Sequence, residues 1–231
     1  MADRPALGRR LVAEGVGSFF LFATVIGSGI MADVLAGGND AVALIGNTAA
    51  TGAMLFVLIT MLGPISGAQM NPAVSLVAAS RGEMGWGDAA AYVVVQLLAG
   101  ILGAMAAHAM FDLPLLQLSV KARTGAGQWL GEAIATFGLV MTIWGTATFR
   151  PKAVPASVAL YITAAYWFTS STSFANPAIT VARSLTDSFS GIAPRDAPAF
   201  IIAQLVGAAL AAVAVRALFD HRTGDEAMPL R

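Results

Sequence analysis

Two asparagines are the residues in this sequence best placed to do chemistry. Asn71-Pro72-Ala73 and Asn176-Pro177-Ala178 repeat one tripeptide, 105 positions apart. Asn is a favoured helix N-cap and Pro a favoured first helical residue, so each tripeptide reads as a helix start. The side-chain oxygen caps the helix, which leaves the amide NH₂ free to donate elsewhere. Each tripeptide opens a short apolar piece, near 72–80 and 177–185, too short to cross a bilayer. Such pieces read as re-entrant half-helices, and loop backbone at that depth is tolerated only against protein or a water-filled cavity. A half-helix of about nine residues is about 14 Å long. Two of them, start to start, cover about 28 Å of a roughly 30 Å hydrocarbon core. Both N-termini then meet at the centre, each with about half a positive charge. A cation is repelled there, while a neutral solute's oxygen meets two donors. The competing reading is two ordinary capped helices.

The rest of the chain must position these motifs. Of 231 residues, 57% are hydrophobic and 11% charged, and the mean hydropathy is +0.74. A soluble domain carries about 25% charged residues. So few charges argue against a soluble enzyme or a disordered scaffold, and zero net charge argues against a basic nucleic-acid surface. Without cysteine there is no disulfide, thiolate metal site or cysteine nucleophile. His108 and His221 lie too far apart in sequence to suggest a metal site. No base, nucleophile and orienting group fall together in a motif. The expected class is an all-α membrane protein. Six long apolar segments run roughly 11–35, 41–62, 88–111, 128–148, 153–170 and 197–219. The first has no cleavage pattern and reads as a retained span. Twenty-four glycines suit close helix packing in lipid.

The two halves of the chain resemble each other. Glu14 and Glu132 stand near the starts of the first and fourth segments, and Gln96 and Gln204 lie mid-way in the third and sixth. The pattern is a repeat of three spans plus a half-span, about 8–111 and 127–219. Three spans are an odd number, so the second copy is expected to be inverted, with a shared site near the midplane. With the N-terminus inside, nine Lys and Arg residues fall on the cytoplasmic side and four outside, which favours that orientation. Residues 220–231 read as a charged cytoplasmic tail. An intramembrane carboxylate is a functional hypothesis by default. Glu14 and Glu132 therefore admit two readings: proton carriers of an ion-coupled transporter, or acceptors for the unpaired N–H groups of two re-entrant loops. Gln96 and Gln204 share the second role.

Ser66-Gly67-Ala68-Gln69-Met70-Asn71-Pro72-Ala73-Val74, the second Asn176-Pro177-Ala178 and the repeated Glu and Gln together resemble the aquaporin and aquaglyceroporin (major intrinsic protein) family over essentially the whole chain. The resemblance implies one channel domain, 1–231, of six tilted helices and two half-helices. It further implies a homotetramer in the cell (inner) membrane, with one pore per subunit and no cofactor, metal or nucleic acid. It also implies an outer constriction of four residues, expected by spacing at Thr51, Ala164, Ser173 and Ile179. Family filters usually hold aromatic residues and an arginine. None stands at these four positions, so the filter is expected to be wide. The resemblance then implies glycerol-like polyols and metalloid hydroxides such as arsenite as solutes, extending to methylated arsenicals, as in an Arg-lacking bacterial branch linked to arsenic resistance. A predominantly water-conducting pore is the alternative.

Arg183 lies one turn beyond Ile179. It reads either as a vestibule charge or as a solvated helix-end arginine paired with Asp187. Trp144, Trp167, Tyr161 and Tyr166 read as interface anchors or packing. Phe56 and Phe174 are vestibule candidates, Asn47 a helix–helix hydrogen-bonding residue and His108 a polar residue near a span end.

Overall fold

The computed structural model describes residues 5–220; Met1–Arg4 and the tail from His221 to Arg231 lie outside the described residues. Eight α-helices follow in order: α1 (Leu7–Ala36), α2 (Asp40–Ser66), α3 (Pro72–Ser80), α4 (Trp86–Met110), α5 (Ala126–Phe149), α6 (Val154–Phe168), α7 (Pro177–Ser184) and α8 (Ala197–Phe219). The helix boundaries follow local chemistry. Asn39 caps α2 by accepting from Ala41 N and Val42 N. α1 and α2 end on Gly37 and Gly67, whose φ of 55° and 89° suits residues without a Cβ. Asn71 and Asn176 cap α3 and α7, with Pro72 and Pro177 at the first helical position.

Among the described residues, five helices are long and apolar enough to cross a membrane: α1, α2, α4, α5 and α8. The segment expected at 153–170 is shorter than a standard span. α6 has 15 residues, about 22 Å at helical rise. A 3₁₀ turn, Pro151–Ala153, precedes it. At its other end Thr169 turns extended (φ −105°, ψ 137°), and the chain leaves the helix to build the second Asn-Pro-Ala loop.

Packing follows one scheme in both halves. α1 packs on α2 and α4, and α5 on α6 and α8. α2 meets α6 across the halves, and α3 meets α7. Small residues set the close crossings. A Cβ on Gly207 of α8 would run into the backbone carbonyl of Ala133 on α5, and one on Gly103 of α4 into that of Phe19 on α1. The polarity is that of a membrane protein. Val12, Leu35, Leu98, Leu160 and Val213 lie on the exterior, while Glu14, Gln96, Glu132 and Gln204 are fully buried. An apolar exterior needs lipid, and buried polar groups need internal partners.

Candidate functional site

The two half-helices are reached through short loops of strained backbone. Ala68 and Met70 before Asn71, and Thr172, Ser173 and Ala175 before Asn176, all have φ between 46° and 61°. Each such residue costs about 1–3 kcal/mol and persists only where its surroundings hold it. Buried carboxylates supply that hold. Glu14 accepts from Gln69 N (2.9 Å), Met70 N (2.6 Å), Ser66 Oγ (2.7 Å) and Gln96 Nε2 (2.9 Å). Glu132 accepts from Phe174 N (2.8 Å), Ala175 N (2.9 Å) and Gln204 Nε2 (2.6 Å). The glutamines also tie the half-helices, since Gln96 donates to Ser75 Oγ and Gln204 to Thr180 Oγ1. Two serines, Ser66 and Ser171, complete the pattern. Ser66 Oγ accepts from Ala68 N and Ser171 Oγ from Ser173 N, each serine five residues before its asparagine. Setting the two motifs side by side in the sequence reveals that spacing.

The loops clasp one another. Asn71 Nδ2 donates to Ala175 O and Asn176 Nδ2 to Met70 O, both at 2.8 Å. The expectation of a wholly free amide therefore needs correction. One of the two N–H protons on each asparagine joins the halves, and one remains. Each side-chain oxygen caps its own helix, at 2.9 Å from Ala73 N and Ala178 N.

A cavity of about 250 Å³ passes this clasp. Leu21, Leu55, Val74, Leu139 and Val158 give it an apolar wall, and Gly67 to Asn71 with Ser173 to Asn176 give it a polar stripe. Beyond Asn176 its wall includes Thr51, Tyr166, Ser173, Phe174, Ile179 and Arg183; beyond Asn71 it includes Glu83, Trp144 and Val154. Three of the four expected filter residues are thus in the wall, and Ala164 is not. Ala164 lies on the exposed face of α6. The cavity meets the other face, through Val154, Val158, Ile162 and Tyr166, which follow helical spacing. Tyr166 OH stands 3.5 Å from Thr51 Oγ1. None of the four expected filter positions holds an aromatic residue or an arginine, but Tyr166 and Arg183 contribute to the wall at this end.

The arginines divide by their partners. Arg123, in the α4–α5 connection, donates to the carbonyls of Gly191 (2.8 Å) and Ser171 (3.2 Å), and its backbone N–H to Asp196. Burial pushes its guanidinium down to about 10, which leaves it charged at neutral pH. Arg183 is 1% exposed. Its Nε donates to Ser190 O, and its guanidinium carbon lies 3.4 Å from the centre of the Phe174 ring. It is therefore neither solvated nor paired with Asp187, whose carboxylate accepts from Val120 N.

Trp144 belongs to the cavity wall and donates to Glu83 Oε1 at 2.7 Å. Arg81 holds the same carboxylate oxygen at 2.8 Å. Tyr161 OH bonds Ala135 O between α6 and α5, and Trp167 is exposed on the outside. Phe56 also faces outside rather than a vestibule. Asn47 donates to Val25 O and Ser28 Oγ on α1. His108 bonds Leu115 O and Thr186 Oγ1, between two connecting segments.

Membrane helices around a narrow cavity, with two half-helices meeting at its middle, define a membrane pore. The chain matches the model of the major intrinsic protein family over residues 1–171 and 150–229, and it belongs to that family. It is 58% identical over 214 residues to aquaglyceroporin AqpS of Rhizobium meliloti (strain 1021), across 93% of this chain and 91% of that one. It is 31% identical over 147 residues to aquaporin NIP3-1 of Zea mays, a match of 62% of this chain and 47% of the relative. The solved aquaglyceroporin from Plasmodium falciparum shares the fold, with a TM-score of 0.65 at 19% identity over 90% of this chain and 95% of that one. Family membership makes the chain an integral membrane channel and not an enzyme.

Proposed function

We propose that the chain is a passive aquaglyceroporin-type pore for small neutral solutes and water. The solutes are glycerol-like polyols and metalloid hydroxides such as As(OH)₃, extending to methylated arsenicals. The observation that carries this reading is the cavity itself, apolar on one side and lined on the other by the loop backbone and the two asparagines. Selectivity in aquaporin-type pores comes from diameter, lining donors and electrostatic barriers. The filter lacks arginine at the motif position, where Ile179 stands, and is formed by Thr51, Ser173 and Ile179. Tyr166 takes the place expected for Ala164. In this reading the channel is a homotetramer in the inner membrane, with both termini cytoplasmic and the Arg183 end outside. Asn71, Pro72, Ala73, Asn176, Pro177 and Ala178 form the central motif pair of two inverted repeats.

Glu14 and Glu132 act here as loop supports rather than proton carriers, since each already accepts two backbone N–H bonds. Osmotic swelling of proteoliposomes with water, glycerol and arsenite tests the proposal. A passive pore gives flux linear in concentration and indifferent to a proton gradient. Saturating, proton-coupled uptake would overturn it. Water flux without glycerol or arsenite flux would establish the water-channel alternative instead.

A further inference from the structure

We infer that Arg183 supplies the filter guanidinium that the motif position lacks, and that with Ser173 it forms a subsite for the oxygens of a permeating solute. This inference rests on the channel reading above. Its basis is an imbalance of hydrogen bonds. A guanidinium has five N–H donors and no acceptor. Arg183 is buried, and its Nε bonds Ser190 O, but Nη1 has no partner among the described residues. No ion pair with Arg183 occurs among the described residues either. The nearby Arg123 is a useful contrast, because its Nε and Nη groups reach carbonyls of the loop that it holds. A buried cation without a counter-charge is costly unless polar groups or water complete its shell. For Arg183 the contents of the cavity can do so, since its side chain belongs to the wall.

Ser173 is the second observation. It is 2% exposed, belongs to the same wall, and its Oγ has no hydrogen-bond partner among the described residues. The site is built to hold the arginine in place. The Phe174 ring lies under the guanidinium, Ser190 O takes Nε, and Ile192 N donates to the backbone oxygen of Arg183. The fork is thereby oriented before a solute arrives, so little rotamer freedom is lost on binding. An unpartnered cationic donor and an unpartnered hydroxyl in the wall of one cavity suit a neutral solute with two or more oxygens, such as a polyol or a metalloid hydroxide. The fixed positive charge adds to the two half-helix N-termini in repelling cations.

Proteoliposomes carrying wild type, Arg183→Met, Arg183→Lys or Ser173→Ala test the inference through three readouts: water permeability, the glycerol-to-water permeability ratio, and proton and potassium leak. Loss of one charge-assisted hydrogen bond predicts a change in the ratio of roughly tenfold for Arg183→Met. The same variant should leak cations at least about tenfold more than wild type. Arg183→Lys keeps the charge and loses the fork, so its leak stays low while its ratio shifts. Ser173→Ala shifts the ratio while its cation leak stays low. If Arg183→Met incorporates normally and both ratio and leak stay within about twofold of wild type, the inference is wrong and the channel reading stands. If Arg183→Met does not assemble, Arg183→Lys and Ser173→Ala decide, and an unchanged ratio in both overturns the inference. Wild-type vesicles that pass neither water nor glycerol overturn the channel reading and this inference together.

Discussion

Replacing Glu132 by alanine removes the acceptor for two buried backbone N–H groups at once. Phe174 N and Ala175 N donate to its two oxygens at 2.8 and 2.9 Å, and no other acceptor is recorded for either among the described residues. An unsatisfied buried donor costs about 1–3 kcal/mol, so the pair amounts to about 2–6 kcal/mol. The same loop holds Ser173 and Ala175 at φ of 48°, a strain that persists only because the surroundings enforce it. Glu132→Ala should therefore fail to assemble or unfold in detergent at a clearly lower temperature, and its vesicles should lose most water permeability. Glu132→Gln keeps one acceptor oxygen and places an NH₂ group where an N–H needs an acceptor, so its penalty should be about half. Glu14 accepts the Ser66 hydroxyl as well, so Glu14→Ala should cost at least as much. Thermal unfolding followed by tryptophan fluorescence, beside stopped-flow light scattering, reads both effects. Glu132→Ala with wild-type unfolding and wild-type water permeability would falsify the loop-support assignment. A loss of proton-coupled uptake alone, with stability intact, would assign the carboxylate to proton transport instead.

Three further outcomes are expected. Gly207→Val drives a side chain against the Ala133 carbonyl, which cannot swing aside, so it should lower expression and thermal stability far more than Gly63→Val, where a Cβ meets nothing within 4 Å. Asn176→Ala loses the cap to Ala178 N, worth about 1 kcal/mol, and the bond to Met70 O, and it should lower both water flux and unfolding temperature, with Asn71→Ala acting alike. Tyr166→Ala should raise the permeability of polyols larger than glycerol relative to water, whereas Ala164→Leu, on the exposed face of α6, should leave that ratio unchanged in the same swelling assay.

The segments that span, the two half-helix starts and the carboxylates that serve them are legible in the residue order, because each follows from local chemistry. An Asn-Pro pair caps a helix wherever it stands, and an apolar run of bilayer length has one stable conformation in lipid. The repeat of Glu, Gln and Asn-Pro-Ala at matched offsets is likewise linear information. The sides of the pore are not. A helix that is apolar on every face carries no stripe from which its rotation can be read. Ala164 and Tyr166 are two residues apart on α6, and only packing against α2 and α5 decides that the tyrosine faces the cavity. Arg183 lies near a helix end, where sequence admits solvent as easily as burial. Contacts from Phe174 and Ser190, residues apart from it in the chain, bring it to the wall. Arg123 and the Glu83–Trp144 pair gain their places in the same way, through partners 48 to 68 residues away. Which side chains meet across a bundle depends on how helices rotate against each other, and that is settled by the sum of their contacts rather than by any one segment.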